Sequence, residues 1–332
     1  MPVRFRAAQP SDTEVMVDLL LQDAEQRRAV NPTLWKLDDN ARDKVRSTVG
    51  SAMQNDNPPF RQQWLLAEFD GEVIGLTHTI LLPVPPIYAG EFGAPGLIME
   101  DCFVADSAPE GTQQSLLKAA EADLVEAGAK ILVASSAQGG PWEAEYAAQG
   151  YQPLTLYFAK TDLRDSPASE GVRAAQPDDV PAIVASSAIN RRILHDLHNT
   201  FWKPHPEANA RFGSWMDRSL TLPDRDMFVS ERGGDVDGYA ISQPATALHF
   251  PAAHDVAGTG FIDDYFHSDF ENPDRLGRDG LAATALLNAA ESALQSRGNN
   301  AVLLVCPAAW SSKIVLLEKA GYSNAITWFI KT

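Results

Sequence analysis

Two stretches of this chain combine residue types that bind anions, and two others pair carboxylates where a proton could be moved. The stretch Arg275-Leu276-Gly277-Arg278-Asp279-Gly280-Leu281-Ala282-Ala283 carries two arginines and two glycines straight into a predicted helix. Backbone N–H groups at a helix start cradle phosphate oxygens, glycine lets the chain approach closely, and guanidinium groups supply charge. A shorter counterpart, Ala108-Pro109-Glu110-Gly111-Thr112-Gln113, keeps one glycine, has no arginine and carries the carboxylate of Glu110, so it is the poorer anion site. The acidic pairs are Glu100-Asp101 and Asp263-Asp264, both in strand-like runs. Adjacent strand residues face opposite sides, so one carboxylate of each pair is expected in a site and the other in a structural contact. A strand-end ion pair is the competing reading for each. His195 and His198 stand three apart, a spacing open to metal ligands, but no third ligand accompanies them and no metal site is expected.

These stretches recur because the chain is internally duplicated. Arg6-Ala7-Ala8-Gln9-Pro10-Ser11-Asp12 returns as Arg173-Ala174-Ala175-Gln176-Pro177-Asp178-Asp179, 167 positions later (173 − 6). Leu34-Trp35-Lys36 returns as Phe201-Trp202-Lys203, Ile98 to Phe103 parallels Phe261 to Phe266, and Gly150-Tyr151 parallels Gly321-Tyr322. Four landmarks in one order imply two copies, expected at 1–164 and 171–332 and joined by a polar linker over 164–171. The first copy predicts a strand at Val3 to Arg6 and a helix opened by Pro10-Ser11-Asp12 with an apolar stripe at Val15, Met16, Leu19 and Leu20. A helix over Asp38 to Met53 follows, then strands at Trp64 to Phe69 and Glu72 to Leu81 around an Asp70-Gly71 turn. Next come a central strand at 97–104, a helix facing inward with Leu116, Leu117, Ala120 and Leu124, a strand at Ile131 to Ser135, a short helix and a closing strand at Leu154 to Lys160. The second copy repeats this with strands at Met227 to Ser230 and Gly238 to Ser242, a helix carrying Ala283, Leu287, Ala290 and Leu294, and a strand at Ala301 to Cys306. The fold class is α/β.

A chain of 332 residues with 45% hydrophobic and 21% charged residues suits two ordinary domains. A net charge of −17 excludes a bulk surface that holds nucleic acid or an anionic membrane, and favours cationic or neutral small partners. No apolar run approaches the roughly 20 residues of a membrane span and the N-terminus lacks a signal-peptide core, so a cytoplasmic location is expected. Cys102 and Cys306 lie in apolar runs and read as buried free thiols.

The element order and several local motifs resemble the GNAT superfamily of N-acetyltransferases. Glu100-Asp101-Cys102-Phe103-Val104 and Asp263-Asp264-Tyr265-Phe266-His267 resemble its central strand, whose end offers backbone groups to the pantetheine arm of acetyl-CoA. Glu143 to Tyr151 resembles its helix-to-strand ending, in which a tyrosine, here Tyr146, sits four residues before the glycine; the second copy has Leu317 there. The superfamily's phosphate loop, Arg/Gln-x-x-Gly-x-Gly/Ala, is intact in neither copy. Arg278 and Ala283 match its ends, with Leu281 at the central glycine. The resemblance implies acyl transfer from acetyl-CoA to an amine, with acetyl-CoA as co-substrate and a small-molecule amine or polyamine as acceptor. Carried over by position, Glu100 acts as base and Tyr146 as acid in the first copy, and Asp263 as base in the second. Val104, Gly111 and Thr112 would meet the cofactor in one copy, and Phe266, His267, Gly277, Arg278, Gly280, Ala282 and Ala283 in the other. Tyr146 as a packing residue and the whole chain as a decayed, ligand-binding member of the superfamily are the competing readings. The acceptor groove of the second copy is expected to include Arg191, Arg192, His195, His198, Trp202 and His205, and the two copies to pair as a pseudo-dimer within a monomer or homodimer.

Overall fold

The computed structural model describes residues 2–55, 57–164, 170–246 and 250–332. The expected linker falls mainly on 165–169, outside the described residues. Strand β1 (Arg4–Ala7) leads through a single turn at Pro10–Asp12 into helix α1 (Thr13–Val30). Here the structure explains the repeated sequence. The Arg6 guanidinium donates to both Asp12 oxygens at 2.6 and 2.9 Å and to Glu68 at 2.7 Å, while Asp12 caps the Gln9 N–H at 2.8 Å. Arg173, Asp179, Glu231 and Gln176 repeat this arrangement in the second half. The buried stripe of α1 runs Met16, Val17, Leu19, Leu20 and Ala24, with Val17 rather than Val15 facing the core.

After α2 (Ala41–Gln54) come β2 (Gln62–Phe69) and β3 (Glu72–Leu81), joined by Asp70 and Gly71, both at positive φ (52° and 87°) as a tight hairpin turn requires. The first half continues with β4 (Gly96–Ile98), β5 (Phe103–Val104), α3 (Thr112–Glu126), β6 (Leu132–Ala137), α4 (Trp142–Ala148) and β7 (Gln152–Thr161). The second repeats the order as β8 (Val172–Ala174), α5 (Val180–Leu197), α6 (Ala208–Ser219), β9 (Asp226–Arg232), β10 (Asp235–Pro244), β11 (Thr259–His267), α7 (Leu281–Ser296), β12 (Ala301–Pro307), α8 (Ser311–Lys319) and β13 (Ser323–Lys331). The inward residues of α3 and α7 named from the sequence are all fully buried, as are both cysteines, free as expected.

The strands form one mixed sheet in the order β1-β2-β3-β4-β6-β13-β7-β12-β11-β10-β9-β8, with β5 beside β3. The last strands are exchanged: β13 lies against β6 of the first half, and β7 against β12 of the second. Between them β7 and β13 run antiparallel with Leu156 opposite Thr327, two positions 171 apart (327 − 156) that are equivalent in the repeat. A pseudo-two-fold axis therefore passes through this pair, and neither half completes its sheet from its own strands.

The central strands depart from the expected uniform pleat. In the first half the ladder to β3 pairs Thr79 with Ile98 and then Leu76 with Phe103, so residues 99–102 are looped out and 97–104 is two short strands rather than one. In the second half β10 pairs Ile241 with Asp264 and Ser242 with Ile262, leaving Asp263 as the unpaired residue of a β-bulge.

Candidate active site

The pseudo-two-fold places equivalent loops over equivalent sites. The segment after β3 crosses to the second half, where Ala89 N–H donates to Lys203 O at 2.7 Å, His205 N–H to Ile87 O at 2.9 Å and Arg211 to Pro86 O at 2.9 Å. Reciprocally, the segment after β10 crosses to the first half: Asp38 N–H donates to Ala253 O at 3.0 Å and Asp255 N–H to Lys36 O at 2.8 Å. The paired bridges Tyr88 with Pro204 and Leu37 with His254 make Tyr88 and His254 counterparts.

These counterparts have opposite consequences. In the first half, fully buried His254 accepts from Arg27 Nε at 3.1 Å, and Arg27 also meets Asp23 at 2.5 Å, donates to Glu100 O at 3.0 Å and lies over the Trp35 ring at 5.8 Å. Burial holds His254 neutral, its pKa pushed down to about 3, and raises Asp23 to about 7. The space beside the Glu100 strand is thus filled by side chains. Glu100 itself is buried and its pKa is raised, first by desolvation and then by Asp101. Asp101 pairs with His78 Nδ1 at 3.0 Å, and His78 stacks on Trp64 at 4.2 Å.

In the second half the same position is a cavity of about 470 Å³ lined by Asp263, Asp264, Arg191, Tyr88, Trp202 and Lys313 among others. The sequence reading placed Asp263 and Asp264 on opposite faces; the bulge overturns that, because an extra residue breaks the two-residue period and both residues line the cavity. Asp264 accepts from Tyr239 at 2.6 Å and Asn190 at 3.0 Å. Asp263 is exposed at the edge of the cavity and has no hydrogen-bond partner among the described residues; desolvation by the surrounding cavity wall and the neighbouring Asp264 raise its pKa to about 6. Of the residues expected in the acceptor groove, Arg191 and Trp202 line the cavity. Arg192 pairs with Glu271 at 3.7 Å, His195 lies 3.8 Å from Asp196, and His198 Nδ1 accepts from the Phe201 N–H at 3.2 Å. No group of three metal-ligating side chains exists among the described residues.

Beyond the bulges the paired parallel strands part. β4 and β6 pair as far as Ile98 with Ala134, and β11 and β12 as far as Ile262 with Leu304. In each split the following helix sends a side chain to the freed strand edge. Trp142 Nε1 donates to Cys102 O at 2.9 Å, and its counterpart Lys313 Nζ donates to Tyr265 O at 2.9 Å. Lys313 is buried among Tyr265, Phe270 and Trp310, its ammonium about 5.5 Å from each ring, and burial lowers its pKa. Sequence reading missed Lys313, since a helical lysine is ordinarily a surface residue. Tyr146 is wholly buried between Trp142, Tyr151 and Phe329, donating to Ser135 O at 3.4 Å, and desolvation raises its pKa well above that of free tyrosine. This is the packing arrangement. Leu317 is equally buried.

The two anion cradles also differ from expectation. α3 and α7 both begin after a left-handed glycine, Gly111 (φ 78°) and Gly280 (φ 70°). Gly280 therefore takes the last position of the phosphate-loop pattern, Arg275 the leading arginine and Arg278 the central glycine, which shifts the frame read from sequence by three residues. Arg278 and Asp279 precede it at φ 47° and 56°, a costly run of left-handed residues. An open cavity of about 420 Å³ lies beside this loop, lined by Arg275, Arg278, Gly277, Asn272 and Ser268. The Arg275 side chain is exposed and has no partner among the described residues. Its two arginines suit a diphosphate, but Asp269 and Glu271 line the same cavity and offset their charge, and fully buried Asp269 already takes up donors there: it accepts from Arg278 Nε at 2.8 Å and from the Ala283 N–H at 3.4 Å. Ala282 is half-buried beside it. His267 and Phe266 are buried, His267 lying 3.3 Å from Asp237 and accepting the Asp269 N–H at 2.9 Å, so their side chains serve the core. In the first half Thr112 Oγ1 donates to Pro109 O at 2.6 Å, Gln113 Nε2 donates to Pro141 O at 3.0 Å, Val104 is half-buried, and the backbone N–H groups of Gln113 and Gln114 have no acceptor among the described residues.

No family model and no curated protein matches the chain by sequence. Solved structures match it over nearly its whole length. A GCN5-related N-acetyltransferase from Sphaerobacter thermophilus aligns with 99% of this chain and 95% of its own at 17% identity and a TM-score of 0.56. A GNAT-family acetyltransferase from Colwellia psychrerythraea aligns over 99% and 98% at 9% identity and 0.50. The glucosamine N-acetyltransferase region of a fungal multi-domain β-N-acetylglucosaminidase aligns with 99% of this chain and 38% of its own at 13% and 0.52. The fold is that of the GNAT N-acetyltransferases, here in two tandem copies whose last strands are exchanged.

Proposed function

We propose that this chain transfers an acyl group from acyl-CoA to a small-molecule amine or polyamine held in the cavity over β11, with residues 171–332 forming the working unit and 1–164 its scaffold. One observation carries the reading: of two equivalent positions, the one over β11 is an open cavity containing Asp263, whereas the one over β4 is filled by Arg27 and His254. Asp263, with a pKa of about 6, is ionised at neutral pH and takes the proton that an acceptor ammonium must lose before its nitrogen attacks. Acyl-CoA supplies the activated thioester, and Arg275 and Arg278 would hold its diphosphate. Lys313 offers a proton at the split between β11 and β12, where the superfamily's tyrosine is replaced by Leu317. Net charge of −17 draws cationic acceptors toward the site, and no helix among the described residues is long and apolar enough to cross a membrane. The fused copies already supply a paired partner within one chain.

A second reading, a ligand-binding protein without transferase activity, is favoured by Asp269, which places the chain's own carboxylate under the α7 amides. Calorimetric titration of acetyl-CoA, with Arg278→Ala and Gly111→Asp alongside, separates the two when thiol release is followed in parallel. One site lost with Arg278→Ala and thiol release on adding amines supports transfer; heat without thiol release supports the second reading. No heat up to millimolar acetyl-CoA removes the first.

A further inference from the structure

The cavity over β11 holds a buried cation as well as its two carboxylates. Arg191 on α5 is 3% exposed and lines the cavity, yet it forms no ion pair with any carboxylate among the described residues. Its guanidinium donates to Ser187 Oγ at 2.5 Å and to Asn209 Oδ1 at 2.6 Å, both neutral, and lies over the Phe212 ring at 5.3 Å. A guanidinium carries five N–H donors in a planar fork; two are engaged and three have no partner among the described residues. Desolvation raises the pKa of Asp264 in the same cavity and attraction to Arg191 through space works to lower it, but the two make no direct contact among the described residues; a buried guanidinium with N–H groups to spare is suited to the two oxygens of a carboxylate. Asp263, in the same cavity, has no hydrogen-bond partner among the described residues, with Arg225 acting on it only through space, and offers the opposite charge. A second, apolar cavity of about 270 Å³ adjoins, sharing Pro85, Tyr88 and Trp202 with the first and lined further by Ile131, Tyr157 and Trp328.

We propose that the acceptor is a zwitterion, an aminocarboxylate with an apolar side chain: its carboxylate on Arg191, its amine toward Asp263 and its side chain toward the apolar cavity. The assignment rests on the β11 cavity being the acceptor site, but not on acyl transfer taking place there. The positive and negative ends are set apart on different elements, so a simple amine satisfies half the site and a simple acid the other half.

Calorimetry on the full chain, without CoA, tests this with matched probes: L-phenylalanine against 2-phenylethylamine and 3-phenylpropanoate, and L-leucine against isopentylamine. Charge-assisted hydrogen bonds to a buried guanidinium predict at least about tenfold tighter binding of each amino acid than of its amine. Arg191→Gln is expected to erase that preference while leaving acetyl-CoA binding unchanged. If Arg191→Gln fails to fold, the comparison in the unmodified chain decides alone. Amines that bind as tightly as their amino acids, a preference that survives Arg191→Gln, or no heat from any probe would each overturn the proposal. A preserved amino-acid preference without thiol release from acetyl-CoA would instead defeat the transferase reading and leave the zwitterion site standing.

Discussion

Exchange of the last strands makes a prediction that ordinary tandem domains would not share. Ile326 on β13 is 2% exposed and lies in a cluster joining Leu34 and Trp35 of the first half to Phe250, Phe261 and Leu303 of the second. Its strand pairs with β6 on one side and β7 on the other. Truncating a buried isoleucine to alanine costs about 2–5 kcal/mol through lost burial and the void left behind. At about 3 kcal/mol, and about 1.4 kcal/mol for each factor of ten, opening becomes roughly a hundredfold more frequent. Because β13 sits at the centre of one continuous sheet, that increase is expected in both halves. Hydrogen exchange of Ile326→Ala under native conditions should show amides of α3 and β6 and amides of α7 and β12 speeding up together. Acceleration confined to the second half, with α3 and β6 unchanged, would refute the claim that neither half stands without the other.

Further expectations follow from the sites. Asp263→Asn should lower acyl transfer by at least about a hundredfold, the usual scale for a lost general base, while the unmodified chain's rate should climb as pH rises through about 6, where Asp263 ionises. Asp269→Asn, which removes the carboxylate competing for Arg278, should tighten acetyl-CoA binding several-fold by calorimetry, whereas Arg278→Ala should weaken it. Arg27→Met should destabilise the chain by about 1–3 kcal/mol in denaturant unfolding, since it removes the donor to Glu100 O and His254 while Asp23 meets the loss by taking up a proton, and should leave transfer in the second half intact. Arg6 and Arg173 hold the pKa values of Asp12 and Asp179 below the ordinary carboxylate range. Their stabilising effect is therefore full above about pH 4 and is lost as pH falls through the lowered values. Arg6→Met should flatten that acid-side loss in thermal melts measured from pH 5 to pH 2.

The duplication and most elements were legible in the sequence because they rest on local signals: the Arg6 and Asp12 spacing, the Asp70-Gly71 turn and the helical stripe of Leu116, Leu117, Ala120 and Leu124. What was not legible depends on partners far apart in the chain. Nothing local distinguishes a strand that pairs within its own copy from one that pairs with the other, so the exchange of β7 and β13 was hidden. A bulge is a property of two strands in register, so the alternation rule misplaced Asp263 relative to Asp264. The filling of the first site depends on His254 meeting Arg27 across 227 positions, and the self-neutralised cradle on Asp269, which sits nine residues before Arg278 and outside any loop pattern. Lys313 became notable only when the fold buried it.

The account turns on which of two equivalent sites works, and one paired assay addresses that directly: thiol release from acetyl-CoA, with L-phenylalanine or a small amine as acceptor, in Asp263→Asn and Glu100→Gln. The structure predicts that Asp263→Asn abolishes release and Glu100→Gln leaves it near the unmodified rate. Loss of release with Glu100→Gln and its survival with Asp263→Asn would contradict the placement of the site in the second half.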